Sequence, residues 1–268
     1  MVGFLVAAAL AAASPAVAND APAEPARAEP AMFVVRDADT TVYIFGTFHA
    51  LDGKSDWFND EVHDAFEQSD ELILETLIPE RPQQPPVYAV PPRQFRAVTP
   101  SASFLASTRM AVSAGRSRGM QVANGADMVL RHTAEAEGKP VEGLETLESQ
   151  IAMFAQLSAP ATPAARAAPQ AAAQPMPNLS VSMANMQSAW KRGDQAVFAG
   201  MLGKLEQGSP DTYRLMFVER NSRWADWIRA RMQTPGTIFV AVGAGHLAGK
   251  DSVLARLGDL GIYSTRLN

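Results

Sequence analysis

Along this chain the spacing of apolar positions alternates between short runs that read as strands and longer stretches with helical period. Phe33 to Val35 and Thr41 to Phe45 are brief β-branched and aromatic runs separated by Asp37, Ala38 and Asp39, which reads as a hairpin. Over Asp56 to Gln68 the residues Trp57, Val62, Ala65 and Phe66 recur at roughly helical spacing. Glu71 to Glu75, bounded by Asp70 and Pro79, reads as a buried strand. Helical spacing returns in Phe95 to Gly115 and Gly125 to Gly138; Val141 to Gly143 is a short strand or connector, and Thr146 to Leu157 a further helix. Helices are expected over Val181 to Lys191, Asp194 to Leu205 and Pro210 to Met232. The chain then closes with a strand at Thr237 to Val242, a glycine loop, a helix at Ser252 to Leu260 and a last strand at Tyr263 to Leu267.

Strands at both ends and helices between them predict an α/β fold in an α+β-like order, with a central sheet built from N- and C-terminal strands and a largely helical middle region. Three stretches interrupt the pattern. Residues Asn19 to Ala31 form an Ala-, Pro- and Glu-rich lead-in with no periodicity, expected to be disordered. Pro79 to Pro92 holds six prolines and reads as an exposed loop or arm. Ala159 to Pro177 is a low-complexity insert of Ala, Pro and Gln. The expected organisation is therefore a signal segment at 1–18, a lead-in at 19–31, and a single domain at 32–268 that carries the insert at 159–177.

Composition narrows the function classes. With 268 residues, 47% of them hydrophobic, the chain can bury a sizeable core. Its net charge of −5 and scattered basic residues lack the stripe that a phosphate backbone requires, so no nucleic-acid partner is expected. The N-terminus is a short apolar run ending in Ala16, Val17 and Ala18, the pattern of a signal-peptidase site, although no Lys or Arg precedes its apolar core. No later stretch reaches the roughly 20 apolar residues needed to span a bilayer, so no transmembrane segment is expected. These features imply a periplasmic or secreted protein. The absence of cysteine removes disulfides, thiolate ligands, a cysteine nucleophile and a lipobox anchor together.

The chemistry is concentrated in an internal echo. Thr41 to Phe45 leads into Gly46-Thr-Phe-His49 and then Gly53-Lys54; Thr237 to Val242 leads into Gly243-Ala-Gly-His246 and then Gly249-Lys250. Two of the four histidines thus follow buried strands in the same G-x-x-H context, where loops at the carboxyl ends of strands line a ligand crevice. Glu75 ends an apolar strand, a position where a carboxylate needs a partner. Two imidazoles and a carboxylate can hold a divalent ion that lowers the pKa of bound water, or can activate water directly with a histidine as base and Glu75 orienting its ring. Arg220, in Glu219-Arg-Asn-Ser-Arg-Trp224, can stabilise negative charge on a substrate oxygen or serve as a helix-surface ion pair. His63 and His132 fit solvated helix faces, and Trp190, Trp224 and Trp227 fit a core. Gly243-Ala-Gly245-His-Leu-Ala248 imitates a dinucleotide loop, but no further strand with an acidic residue follows; Asp251 stands where a phosphate loop needs Ser or Thr. No G-x-S-x-G elbow of a serine hydrolase is present.

The blocks YIFGTFHAL, ELILETL, GADMVLRHTAEAEGKPVEGLETLESQIAMF, AWKRGDQAVF, VERNSRWADWI and FVAVGAGHLAGKDSVLARLGDLG, in this order, resemble the TraB/PrgY/GumN family, with departures at the insert and at the proline-rich loop. The resemblance implies site residues at Gly46/His49, Gly243/His246, Glu75 and Arg220. Its Tiki-like members imply a metalloprotease with manganese, cobalt or zinc held by His49, His246 and Glu75, and the related erythromycin-esterase group implies hydrolysis by histidine-activated water. The resulting expectation is a hydrolase acting on a peptide or small-molecule ester; the alternative is a non-catalytic binding or accessory protein for a peptide or exopolysaccharide.

Overall fold

The computed structural model describes residues 26–77, 110, 112–158 and 179–268. Eight strands lie in it: β1 (Ala26–Arg27), β2 (Met32–Arg36), β3 (Thr40–Thr47), β4 (Ser55–Asp56), β5 (Glu71–Thr76), β6 (Val141–Glu145), β7 (Gly236–Gly243) and β8 (Thr265–Arg266). The helices used below are α1 (Asp60–Glu67), α2 (Ala126–Glu137), α3 (Leu147–Ser158), α4 (Leu179–Lys191), α5 (Gln195–Gly208), α6 (Pro210–Tyr213), α7 (Glu219–Arg231) and α8 (Val253–Asp259). The signal segment and the low-complexity insert lie outside the described residues, as does the proline-rich loop.

Six strands form one mixed sheet in the order β6-β5-β7-β3-β2-β8. Its centre is the expected meeting of the two ends of the chain: β3 and β7 pair in parallel from Thr40↔Gly236 to Thr47↔Gly243. β5 joins the far side of β7, and β6 extends the parallel set at the edge. The α/β fold with a central sheet is thus as read from the sequence, and the stretch at Val141 to Gly143, read as a short strand or connector, lies in its edge strand β6.

Both faces of the sheet are covered, which follows from nearly continuous apolar strands. In β3, Tyr43 and Phe45 enter one core with Phe66, Leu130, Trp190 and Phe239, while Val42 and Ile44 enter the other with Trp224, Ile228, Val240 and Leu257. Period-two alternation places consecutive residues on opposite faces, so the unbroken apolar run Val42 to Phe45 serves both cores. Helices α1, α2, α4 and α5 supply the first layer; α7 and α8 supply the second.

Three local differences have identifiable causes. Residues inside the expected lead-in are paired and packed: β1 pairs in parallel with β4, Ala28 is buried, and Asn59 Nδ2 donates to the Ala28 carbonyl at 2.9 Å. Asn59 also caps α1, its side chain accepting from the backbone of Glu61 and Val62, so the helix starts at Asp60 and leaves Trp57 in the preceding segment. The stretch read as one helix from Pro210 to Met232 is α6 and α7 joined by a π-helical turn at Arg214–Val218. Such a turn inserts an extra residue into the helical period and re-aims the side chains around it.

Candidate functional site

The four parallel strands end on the same side of the sheet, and each delivers one charged or titratable group there. His49 follows β3, His246 follows β7, Glu75 lies near the end of β5, and Glu145 ends β6. Arg220 reaches the same point from the first turn of α7. The structure therefore brings together all four residues singled out in the sequence.

Gly243 marks the point of convergence. Its φ of −53° is open to any residue, so space rather than backbone freedom calls for glycine. A Cβ there would lie 3.1 Å from Glu75 Oε1, 3.5 Å from His49 Nε2 and 3.7 Å from the His246 ring. The Gly243 N–H itself donates to Glu75 Oε1 at 2.6 Å.

The two histidines share a sequence context but differ in surroundings. His49 faces a cavity, with its side chain 62% accessible from the open side, and its Nδ1 lies 3.2 Å from Asp127 Oδ1. That oxygen is buried with no other hydrogen-bond partner, so the ring is its natural donor. Asp127 is in the first turn of α2, which docks directly on the His49 loop: Ala126 N–H donates to the Phe48 carbonyl at 3.0 Å. Gly125 permits this approach, because a Cβ there would meet the His49 carbonyl at 2.5 Å.

His246 is buried between Phe217 and Trp224, with ring centroids at 4.8 Å and 4.4 Å. Asn221 Nδ2 donates to the Asp251 carbonyl at 2.7 Å, which turns its Oδ1 towards His246 Nδ1 at 2.6 Å. An amide oxygen only accepts, so Nδ1 carries the hydrogen and Nε2 presents its lone pair towards the cavity. Arg220 Nη1 stands 3.4 Å from that Nε2, and Glu75 Oε1 stands 3.8 Å from it. The buried guanidinium also donates through Nη2 to Glu75 Oε2 at 2.9 Å and through Nε to Glu145 at 2.9 and 3.1 Å, and it lies 4.5 Å from the Trp224 ring centre. Arg220 is thus an internal bridge between two carboxylates, which rules out the helix-surface ion pair.

These surroundings separate the charge states. Burial pulls His246 down to about 3, and Arg220 and His49 reinforce it against the opposing pull of Glu75. At His49 desolvation also acts downward, but the hydrogen bond and charge of Asp127, together with Glu75, prevail and push it up to about 9. For Glu75, burial would raise the carboxyl; the positive partners His246, Arg220 and His49 and the Gly243 N–H reverse this and hold it at about 2. With His246 neutral near pH 7, Arg220, His49 and the amide supply that pull. The resting arrangement is therefore a cationic His49, an anionic Glu75 and a neutral His246.

Two imidazoles and a carboxylate are suitable donors for a divalent ion. Each ring also directs its Nδ1 at an oxygen acceptor, the support that metal-bound histidines use to present Nε2. Donor chemistry therefore fits an ion held by His246, Glu75 and His49, the last only once it has given up its Nε2 proton. Among the described residues, however, no three such groups stand at metal-binding spacing, and the Arg220 guanidinium already donates to Glu75 Oε2.

The site occupies one end of a cavity of about 490 Å³ whose remaining wall is chiefly methionine and phenylalanine. Asp127, Glu145 and Asn221 complete the site without having stood out in the sequence. Their signals are modest: an acid in the first turn after Gly125, an acid ending Val141-Glu-Gly-Leu-Glu145, and an amide beside Arg220. His63 is exposed beside Glu67, and His132 is exposed, both away from this cavity. Trp190 and Trp224 are core residues as expected, and Trp224 also backs His246.

A family model described as TraB/PrgY/gumN family matches residues 31–88 and 87–266. No curated protein and no solved structure matches the chain.

Proposed function

From the premise that the chain belongs to the TraB/PrgY/gumN family, and from the site at its strand ends, we propose that it is a hydrolase that cleaves a peptide or ester bond with activated water. The observation that carries this reading is the convergence of His49 Nε2, Glu75 Oε1 and the His246 ring around the vacant side-chain position of Gly243, at the polar end of a half-open cavity. Paired groups whose surroundings drive their proton affinities apart are suited to opposite roles. His246 Nε2 accepts a proton from water as the water oxygen adds to the substrate carbonyl. Cationic His49 and Arg220 stabilise the negative charge that develops on the carbonyl oxygen, and His49 donates its proton to the departing oxygen or nitrogen. Asn221 orients the His246 ring through Nδ1, and Glu75, held by Gly243 and Arg220, balances the local charge. Should the site carry manganese, cobalt or zinc, His49, His246 and Glu75 are the residues that would hold it, and the ion would supply Lewis acidity and a more acidic bound water.

The apolar leader at 1–18 supports export to the periplasm or the exterior, and among the described residues no helix is long and apolar enough to cross a membrane. A non-catalytic binding protein is the competing reading, favoured by the size of the cavity; its apolar wall suits a hydrophobic ligand better than an exopolysaccharide. The test is turnover of fluorogenic peptides and nitrophenyl esters after chelation and after addition of each of the three metals, with metal content measured in parallel. His49→Ala, His246→Ala and Glu75→Gln are each expected to lower kcat/KM by about a hundredfold or more. Turnover that survives all three substitutions, or saturable binding without turnover by the unaltered protein, overturns the hydrolase.

A further inference from the structure

Beyond the polar end of the cavity the wall changes character. Met120, Met183, Met186, Met201 and Met216 line it with Phe154, from the segment before α2 and from α3, α4, α5 and the π-helical turn. Among the described lining residues, the only polar side chains away from Thr47, His49, Glu75, Arg220 and His246 are Arg116 and Gln150. This composition selects between two kinds of apolar substrate. A peptide threaded along the wall would bring a backbone N–H and C=O with every residue and would leave most of them unpaired, at a cost comparable to a lost hydrogen bond for each. A hydrocarbon chain brings no such groups. Methionine side chains are unbranched and polarizable, so a wall rich in them adapts to a flexible chain.

We propose that this arm of the cavity is an acyl-chain pocket and that the substrate is an ester or amide of a flexible, medium-length aliphatic acid, with its carbonyl carbon at the polar end and its hydrocarbon along the methionines. The proposal rests on the hydrolytic reading for its chemistry but not for its binding. In the reaction the water oxygen forms a bond to the acyl carbon and the bond from that carbon to the leaving oxygen or nitrogen breaks. One proton passes to the leaving atom, and a carboxylic acid and an alcohol or amine result.

The test begins with the unaltered protein and nitrophenyl esters of acetate, butyrate, octanoate and dodecanoate, since burial of each methylene adds favourable free energy. The expected result is a rise in kcat/KM of about tenfold or more from acetate to octanoate. Met186→Trp and Met201→Trp, each checked for native circular dichroism, are expected to lower the octanoate-to-acetate ratio by about tenfold. Calorimetric titration with octanoate and dodecanoate themselves separates the pocket from the chemistry. Binding that strengthens with chain length and weakens in the tryptophan variants sustains the pocket even if no ester turns over, in which case only the hydrolytic reading fails. Ester turnover with a flat chain-length profile leaves the hydrolase standing and overturns the pocket. So does faster cleavage of hydrophobic peptides than of any acyl ester, and so does the absence of binding by either acid.

Discussion

At the scale of single residues, Gly243 and Arg220 hold the site open in different ways. Gly243 leaves empty the position towards which Glu75, His49 and His246 point, and its backbone angles suit an alanine. Gly243→Ala is therefore expected to fold normally but to place a methyl group against the reacting groups. Displacement of those groups by a fraction of an ångström to an ångström costs about a hundredfold in rate. Hydrolysis measured beside thermal unfolding checks this; a variant that is both active and native would remove the convergence point from the mechanism. Arg220 carries a structural load as well as a chemical one. Its side chain is 4% exposed, and its carboxylate partners Glu75 and Glu145 are 14% and 6% exposed. Removal of the guanidinium leaves two buried acids facing each other, so Arg220→Ala is expected to lose about 3–5 kcal/mol of stability in urea titrations. A loss below about 1 kcal/mol would mean that solvent already screens the cluster.

At the scale of elements, β3 is the strand on which the arrangement depends. It pairs with β2 and β7, feeds both cores and ends in the His49 loop. It is also pinned from the helical layer, because buried Trp190 of α4 donates its Nε1–H to the Gly46 carbonyl at 2.7 Å. Trp190→Phe keeps most of the ring and leaves that carbonyl unpaired, which is expected to cost about 1–3 kcal/mol. Chemical denaturation checks it, and an unchanged midpoint would show that water replaces the indole. The same strand explains what the sequence discloses. The apolar run Val42 to Phe45, followed by Gly46 and His49, and the run Ile238 to Val242, followed by Gly243 and His246, can be recognised because local spacing records them. Glu75 stands out because an acid at the end of an apolar run is costly unless partnered. Asp127, Asn221 and Glu145 carry no such local mark, since an acid in a first helical turn or an amide on a helix is ordinary wherever it occurs. Their meaning arises only when α2, α7 and β6 are packed over the strand ends. The echo itself is inexact in space: Gly46 is level with Val242 rather than with Gly243, and the loops leave one histidine open to the cavity and bury the other.

At the scale of the whole molecule, that inequality sets how stability responds to pH. A group bound more tightly to its proton in the folded chain stabilises the fold below its ordinary pKa and loses that contribution as pH rises through the folded value. His49, pushed from 6.5 up to about 9, therefore contributes fully below pH 6.5 and progressively less towards pH 9. Glu75 and His246 act in the opposite sense. Glu75, held down from 4.5 to about 2, contributes above pH 4.5 and is lost as pH falls to about 2. His246, pulled from 6.5 down to about 3, contributes above pH 6.5 and is lost as pH falls to about 3. The three together predict a stability maximum near neutrality, with a decline on each side. The alkaline side is the shallower, because solvent reaches the His49 ring and screens its coupling to Asp127. Asp127→Asn isolates this side, since it keeps an acceptor for Nδ1 but removes the charge that holds the proton. Melting temperatures measured from pH 6 to pH 9.5 are expected to fall in the unaltered protein and to change less in the variant, while the acid side, set by Glu75 and His246, is preserved. Equal alkaline slopes in the two proteins would detach Asp127 from His49, and the division of labour between the two histidines would then need another source.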